Sequence, residues 1–162
     1  MGEQGEKHGK GPLWAVATST VLGLGFTPRM PGTVGALVGV FLYLPAFLMS
    51  HEWAFILPLA ELAIVFLLAA LAVPRVLGAT GLTDPSFVVI DEVAGMLCAL
   101  SLNEPDFMRI LVCFLLFRLL DIFKPWPINR LERLPGAWGV MADDVAAGLL
   151  AGLLAILVMR FS

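Results

Sequence analysis

The chain has 162 residues, 59% of them hydrophobic and only 14% charged, with a mean hydropathy of +0.92 and a formal net charge of −3. A soluble domain carries about 25% charged residues, so this composition excludes an ordinary soluble globule and describes one domain dissolved in lipid. The negative balance and the lack of any basic run argue against a nucleic-acid partner.

Residues 1–12 are polar and Gly-rich and read as a flexible N-terminus, followed by a single membrane-embedded domain over 13–162. Lys7 and Lys10 precede the apolar run Leu13 to Phe26, which imitates a signal peptide. It contains Thr18, Ser19 and Thr20 and passes straight into a Pro/Gly motif, so a short interfacial or re-entrant helix fits better. Fourteen residues also fall short of the roughly 20 needed to span.

The loop Thr27-Pro28-Arg29-Met30-Pro31-Gly32-Thr33 cannot be helical throughout. A first spanning run follows from Val34 to Met49, interrupted near its end by Pro45, with Gly35 and Gly39 placed to let a neighbour approach. The strongest span is Ala54 to Val73; it carries Glu61, read as a snorkelling or paired carboxylate, and is expected to end at Pro74-Arg75. Asp84-Pro85 reads as the N-cap and first turn of a third span reaching about Leu102. At helical spacing this would set Asp84 and Asp91 on one face, with Gly95 and Ala99 leaving the Glu92 side thin. Cys98 here, and Cys113 in the next run, fit neither a metal spacing nor a disulfide framework and read as core residues.

The fourth span, Phe107 to Phe123, brings Arg118, Asp121 and Lys124 to neighbouring faces of its end. A Pro-rich loop and an amphipathic stretch come next, with Trp126 and Trp138 suited to a headgroup belt. The last span, Val145 to Met159, is expected to be introduced by Asp143-Asp144 as N-cap candidates. The predicted fold is therefore all-α, a bundle of about five apolar helices plus the short N-terminal one. Taking the loop before Val34 as cytoplasmic puts Lys7, Lys10, Arg29, Arg75, Lys124, Arg130 and Arg133 inside and only Arg109 and Arg160 outside.

That topology gathers Asp84, Asp91, Glu92, Asp121, Asp143 and Asp144 near one membrane face. At about 4 Å and an effective dielectric near 20, each ionised pair costs roughly 4 kcal/mol. Arg118 and Lys124 do not offset six acids, so either some are protonated or a divalent ion sits among them. Hard oxygen ligands without His or Cys point to Mg²⁺ or a similar ion. His8 and His51, the only histidines, lie away from the cluster, which argues against zinc. A carboxylate-held Mg²⁺ beside Arg and Lys suits phosphoryl chemistry on a headgroup whose acyl chains stay in the bilayer.

At these residues the chain resembles the bacterial phosphatidylglycerophosphatase A family. The matching blocks are Pro31-Gly32-Thr33-Val34-Gly35, TDPSFVVIDEVAG over 83–95, RLLDIFKPWPI over 118–128 and GVMADDVAAG over 139–148. It departs from the family pattern at Ala36, at Thr83 and over 135–138. The resemblance implies a Mg²⁺-dependent hydrolase of the bacterial inner membrane, its site facing the cytoplasm. Such an enzyme converts phosphatidylglycerophosphate to phosphatidylglycerol and inorganic phosphate in phospholipid biosynthesis.

Asp91, Glu92, Asp143 and Asp144 are expected as metal ligands or as the base that orients water, with Asp84 and Asp121 as further ligands or supports. Lys124 and Arg118 would hold phosphate, with Arg29, Thr33 and the Gly32–Gly35 backbone as further donors. For Gly32 and Gly35, close packing is the competing reading.

The chain has no Cys-x₅-Arg loop, no Asp-x-Asp-x-Thr pattern and no His pair. Metal-assisted water attack on phosphorus is the expected route, with a covalent intermediate on an acid left open. An ion- or proton-coupled transporter is the alternative from another class, since intramembrane acids mark ion pathways. A transporter site belongs near the midplane, whereas these acids cluster at helix ends. A headgroup transferase would need a DGxxAR signature that is absent, and a purely structural subunit would leave the buried charges without a purpose. Oligomeric state is not readable from the chain.

Overall fold

A computed structural model describes residues 11–161, so Lys7, His8 and Lys10 lie outside the described residues. Within them the elements are α1 (Leu13–Ser19), α2 (Pro31–Tyr43), α3 (His51–Thr80), α4 (Ile90–Ser101), α5 (Phe107–Phe123), α6 (Ile128–Leu131) and α7 (Ala137–Arg160). Two 3₁₀ turns, Leu24–Phe26 and Leu44–Leu48, complete the order, and no strand occurs among the described residues. The five apolar helices are α2, α3, α4, α5 and α7. Three stretches are long and apolar enough to cross a membrane: Pro31–Leu48, His51–Thr80 and Ala137–Arg160.

The fold is built around α4. It has 12 residues, and all but Glu92 are buried. At 1.5 Å per residue it is about 18 Å long, short of the roughly 30 Å hydrocarbon core. It is therefore a central helix wrapped by the others rather than a span in its own right. Its neighbours reach it through small residues. A Cβ on Gly148 of α7 would lie 2.0 Å from the Gly95 carbonyl oxygen, and one on Gly152 would lie 2.7 Å from that of Ala99. On the α2 side, a Cβ on Gly39 would lie 2.8 Å from the Met96 Cβ. With no hydrophobic force between helices in lipid, such backbone approach is what holds them together.

Besides starts three residues early in α2 and α3, three boundaries differ from the sequence expectation. First, α4 starts at Ile90 and not at Asp84. Residues Phe87, Val88 and Val89 are all buried without being helical. They run instead as a loop tied to the N-terminal segment, the Val89 amide donating to the Ser19 carbonyl at 2.9 Å. Asp84 and Asp91 thus share no helix face.

Second, α3 continues through Pro74 to Thr80, where Gly81 closes it at φ 69. Val73, Val76 and Thr80 are buried along its inner side, and the Arg75 guanidinium donates to the Leu71 carbonyl. Together these offset the hydrogen bond that Pro74 removes.

Third, α7 starts at Ala137, after Gly136 in a positive-φ conformation, two turns before Val145. Asp143 and Asp144 are then residues of the helix wall and not its caps. The N-terminal apolar run contains only the seven-residue α1 and a 3₁₀ turn, too short to span.

At the far end of the bundle Asn103 ties three helices. Its backbone carbonyl accepts from Tyr43 Oη at 2.7 Å, and its side-chain amide donates to Ala99 and Gly152 carbonyls at 3.0 and 3.2 Å. Cys98 and Cys113 are buried free thiols. Glu61 lies half-buried on α3, away from the acidic cluster, with Oε2 unbonded among the described residues.

Candidate active site

At the end of the bundle opposite Asn103, the first turns of α2 and α4, the last turn of α5 and the second turn of α7 enclose a cleft of about 210 Å³. Asp84, Asp91, Glu92, Asp121, Asp143 and Asp144 all line it, together with Arg118, Lys124 and Gly32. Asp91 and Glu92 come from α4, Asp143 and Asp144 from α7, Asp121 from α5, and Asp84 from the loop before α4. The Gly95–Gly148 crossing sits one turn beyond Asp91 and Asp144 on their respective helices. The close approach of those two helices is what sets the two carboxylates against each other.

Burial distinguishes the acids. Asp91, Asp143 and Asp144 are 6%, 3% and 4% exposed, Glu92 and Asp121 are half-buried, and Asp84 is exposed. Carboxylate oxygens of Asp91, Glu92 and Asp144 all lie within 4.8 Å of one another. Two such ionised groups repel by roughly 3 kcal/mol at an effective dielectric near 20. The cleft answers with two cations. Arg118 pairs with Asp121 one turn along α5. Lys124, the residue that closes α5 at φ 41, places Nζ 2.6 Å from Asp143 Oδ2 and 3.6 Å from Glu132 Oε1. Burial works against the Lys124 charge, but the Asp143 hydrogen bond and the Asp143, Glu132 and Asp144 charges outweigh it. Its amine therefore holds a proton above the ordinary lysine range.

Neither cation pairs with the Asp91–Glu92–Asp144 group. Asp91 Oδ1 accepts from the Glu92 backbone amide at 3.1 Å, whereas Glu92 Oε2 and Asp143 Oδ1 are buried without a hydrogen-bond partner among the described residues. Buried carboxylate oxygens facing one another without donors are the arrangement that a cation satisfies, so this acidic cluster can hold a metal ion. The donor set is all oxygen.

Gly32 belongs to the cleft by necessity of space. A Cβ there would lie 2.3 Å from Glu92 Oε1 and 3.1 Å from Arg118 Nη1. Gly35, one turn on, faces the Val89 carbonyl instead, 2.8 Å from where its Cβ would stand, and does not line the cleft. Thr33 and Arg29 are also outside the lining. The Thr33 hydroxyl is buried without a partner among the described residues, and Arg29 is exposed on the preceding loop. Ser86 lines the cleft and escaped the sequence reading. It sits in an irregular loop, where no periodicity signals direction, and only its place between Asp84 and Asp91 pointed to it. Glu132, read as part of an amphipathic stretch, is a second missed neighbour, reaching Lys124 from the α6–α7 connection.

A membrane helix bundle with a carboxylate-rich, Arg- and Lys-flanked cleft at one end defines the class: a polytopic membrane enzyme acting on phosphate esters. Comparison with known proteins narrows the class. The family model described as Phosphatidylglycerophosphatase A matches residues 17–159. A Bacteroides thetaiotaomicron protein, provisionally named a phosphatidylinositol-3-phosphatase, is 34% identical over 83% of this chain and 86% of its own. Proteins named phosphatidylglycerophosphatase A from Escherichia coli and Haemophilus influenzae are 35% and 32% identical. They cover 82% and 80% of this chain, and 76% and 78% of their own. No solved structure matches the chain significantly. The chain belongs to the phosphatidylglycerophosphatase A family and is a phosphoric monoester hydrolase.

Proposed function

We propose that this protein hydrolyses phosphatidylglycerophosphate to phosphatidylglycerol and inorganic phosphate with Mg²⁺, as a step of phospholipid biosynthesis. The observation that carries the reading is the convergence of Asp91, Glu92 and Asp144 within 4.8 Å, beside Arg118 and Lys124, in a chain of this family. In the inner membrane, the cations Arg29, Arg75, Lys124, Arg130 and Arg133 would turn the cleft to the cytoplasm. Residues 13–162 act as one catalytic unit in this reading.

The roles follow from placement. Asp91, Glu92 and Asp144 would hold the ion, with Asp143 Oδ1 the next oxygen available and Asp84 and Asp121 as further ligands or supports. Bound Mg²⁺ supplies positive charge that offsets the carboxylates and polarises phosphate oxygens. Arg118 and Lys124, each already neutralised in part by Asp121 and Asp143, hold the terminal phosphate and are held in place by those acids. The Gly32 backbone closes one wall without a side chain, leaving room for the phosphate against Glu92 and Arg118. Arg29 and Thr33 could add to phosphate binding only by moving, and Gly35 serves close packing. One carboxylate of the cluster orients water and accepts its proton as oxygen attacks phosphorus and the bond to the glycerol oxygen breaks. The leaving alkoxide takes a proton from solvent or from a protonated cleft carboxyl.

The test is phosphate release from phosphatidylglycerophosphate by detergent-purified protein, with Mg²⁺ or with excess chelator, beside the Asp91→Asn variant. Phosphatidylinositol 3-phosphate runs as a parallel substrate, because one relative carries a name for that activity. Release that requires both metal and Asp91 supports the reading. Folded protein that releases nothing under either condition would overturn it, and preference for the inositol lipid would reassign the headgroup.

A further inference from the structure

Two cavities adjoin the acidic cleft, and they differ in the charge of their walls. One, of about 460 Å³, shares Asp84, Val140 and Asp143 with the cleft and is also lined by Glu132 and Arg133. The other, of about 500 Å³, shares Pro31 and Ser86 with the cleft, and its remaining walls include Phe26, Thr27, Pro28 and Phe87, with no charged side chain. Four charged groups in the first favour water there. The second is an uncharged groove, with the Phe26 and Phe87 rings in its wall, leading away from the same carboxylates.

The groove is fixed in the fold. A Cβ on Gly25 would lie 2.0 Å from the Phe87 carbonyl oxygen, so the 3₁₀ turn and the loop before α4 meet backbone to backbone. The Phe26 and Phe87 rings stand 5.7 Å apart. The segment 22–30 that carries Phe26, Thr27 and Pro28 also exposes large apolar side chains, with Leu22 88% and Met30 64% exposed and Leu24 also open. Such residues on a short segment beside membrane helices mark the bilayer interface. The groove therefore runs from the acidic cleft toward lipid.

We propose that this groove is the subsite for the diacylglycerol end of the substrate, and that the paired cavities set the direction in which a lipid phosphomonoester lies. The terminal phosphate enters the acidic cleft, the acyl roots follow the wall of Phe26, Thr27 and Pro28 to the bilayer, and the charged chamber stays open to water. This rests on the lipid phosphatase reading above and adds a site for the part of the substrate that does not react. Binding energy from such a remote part is what distinguishes a lipid phosphatase from one acting on soluble phosphomonoesters.

Thr27 is the residue to alter, because it lines the groove and not the cleft. Thr27→Trp fills the groove, and Thr27→Val controls for loss of the hydroxyl's bond to the Leu24 carbonyl. The expected result is a KM for dioleoyl phosphatidylglycerophosphate raised about tenfold by Thr27→Trp, the effect of losing contact with roughly two methylene groups. Thr27→Val should match the unaltered protein, and phosphate release from sn-glycerol 3-phosphate should be the same in all three. An unchanged lipid KM in folded Thr27→Trp, or equal loss toward both substrates, would overturn the proposal.

A second measurement needs no turnover. Thr27→Cys should react with a maleimide while the buried Cys98 and Cys113 do not, and dioleoyl phosphatidic acid should slow that labelling where sn-glycerol 3-phosphate does not. Equal labelling in the two cases would also overturn it. Failure of the functional reading shows separately, as phosphate release indifferent to Asp91 and to metal.

Discussion

Lys124 Nζ lies 2.6 Å from Asp143 Oδ2, while Asp143 Oδ1 is buried without a side-chain partner among the described residues. One oxygen of a single carboxylate is thus tied to the end of α5 and the other is left buried in the wall of the cleft. The pair joins two helices and fixes which way Asp143 faces. Removing the amine alone strands a buried carboxylate, an effect of about 3–5 kcal/mol for a buried pair and less here because Lys124 is partly exposed. Lys124→Met is therefore expected to lower thermal stability and phosphate release together. The double variant Lys124→Met with Asp143→Asn should recover most of the stability and none of the activity. Thermal unfolding in detergent beside phosphate release checks both halves, and recovery of activity in the double variant would remove Lys124 from substrate binding.

The Asp91–Glu92–Asp144 group carries the opposite expectation. Its members repel one another and none forms an ion pair with Arg118 or Lys124, so neutral amides should relieve strain in the metal-free protein. Asp91→Asn and Asp144→Asn are each expected to cut phosphate release by at least about 100-fold. In excess chelator, the same variants should unfold at a temperature equal to or above that of the unaltered protein. Mg²⁺ should raise the unfolding temperature of the unaltered protein, by linkage to the folded state, and should raise that of the variants much less. A Mg²⁺ shift that survives in both variants would move the ion away from this group.

The helix crossing that brings these acids together can be tested at Gly148. A Cβ there would stand 2.0 Å from the Gly95 carbonyl, a backbone atom that cannot swing aside. Gly148→Ala is expected to destabilise by about 1–3 kcal/mol or more and to abolish activity by separating Asp144 from Asp91. Gly78 on the exposed side of α3 has nothing within 4 Å of its Cβ position. Gly78→Ala should stabilise by about 0.5–1 kcal/mol, the gain in helix propensity, with activity unchanged. Equal behaviour of the two variants would show that the crossing is not tight in solution.

How much of this was legible in the chain depends on which force sets each feature. Phe107 to Phe123 was read to the residue, because Asp106 and the proline after Lys124 bracket one largely apolar run without Pro or Gly. The six acids were legible as a set because charge in an apolar chain is conspicuous. Their surroundings were less so. Asp84-Pro85 and Asp143-Asp144 both carry helix-start chemistry, yet neither starts a helix. The loop 84–89 is held by burial of Phe87, Val88 and Val89 against the N-terminal segment, and α7 is extended upstream by the packing of Gly139 under the Leu134 and Glu132 carbonyls. Local signals yielded to tertiary contacts in both places. Residues 84–102 were expected as a span because hydrophobicity alone does not tell a lipid-facing helix from one enclosed by other helices. The 12 residues of α4 are apolar for the second reason.

Gly32 and Gly35 stand three residues apart in one motif, and the structure separates their reasons. A Cβ on Gly32 would meet only side-chain atoms, Glu92 Oε1 at 2.3 Å and Arg118 Nη1 at 3.1 Å, whereas one on Gly35 would meet the Val89 carbonyl at 2.8 Å. Side-chain ends can move and backbone cannot. Gly32→Ala should therefore fold with near-normal stability while pushing Glu92 and Arg118 out of position, so phosphate release falls by roughly 10- to 100-fold, as misplacement by about 1 Å does in other enzymes. Gly35→Ala should lose stability by about 1–3 kcal/mol through overpacking, with activity falling only in proportion to the folded fraction. Unfolding temperature and phosphate release, measured on both variants in one detergent, give a crossed pattern if the first glycine serves the cleft and the second serves packing. Loss of stability in Gly32→Ala with normal specific activity would assign both glycines to the helix interface and take the α2 N-terminus out of the phosphate site.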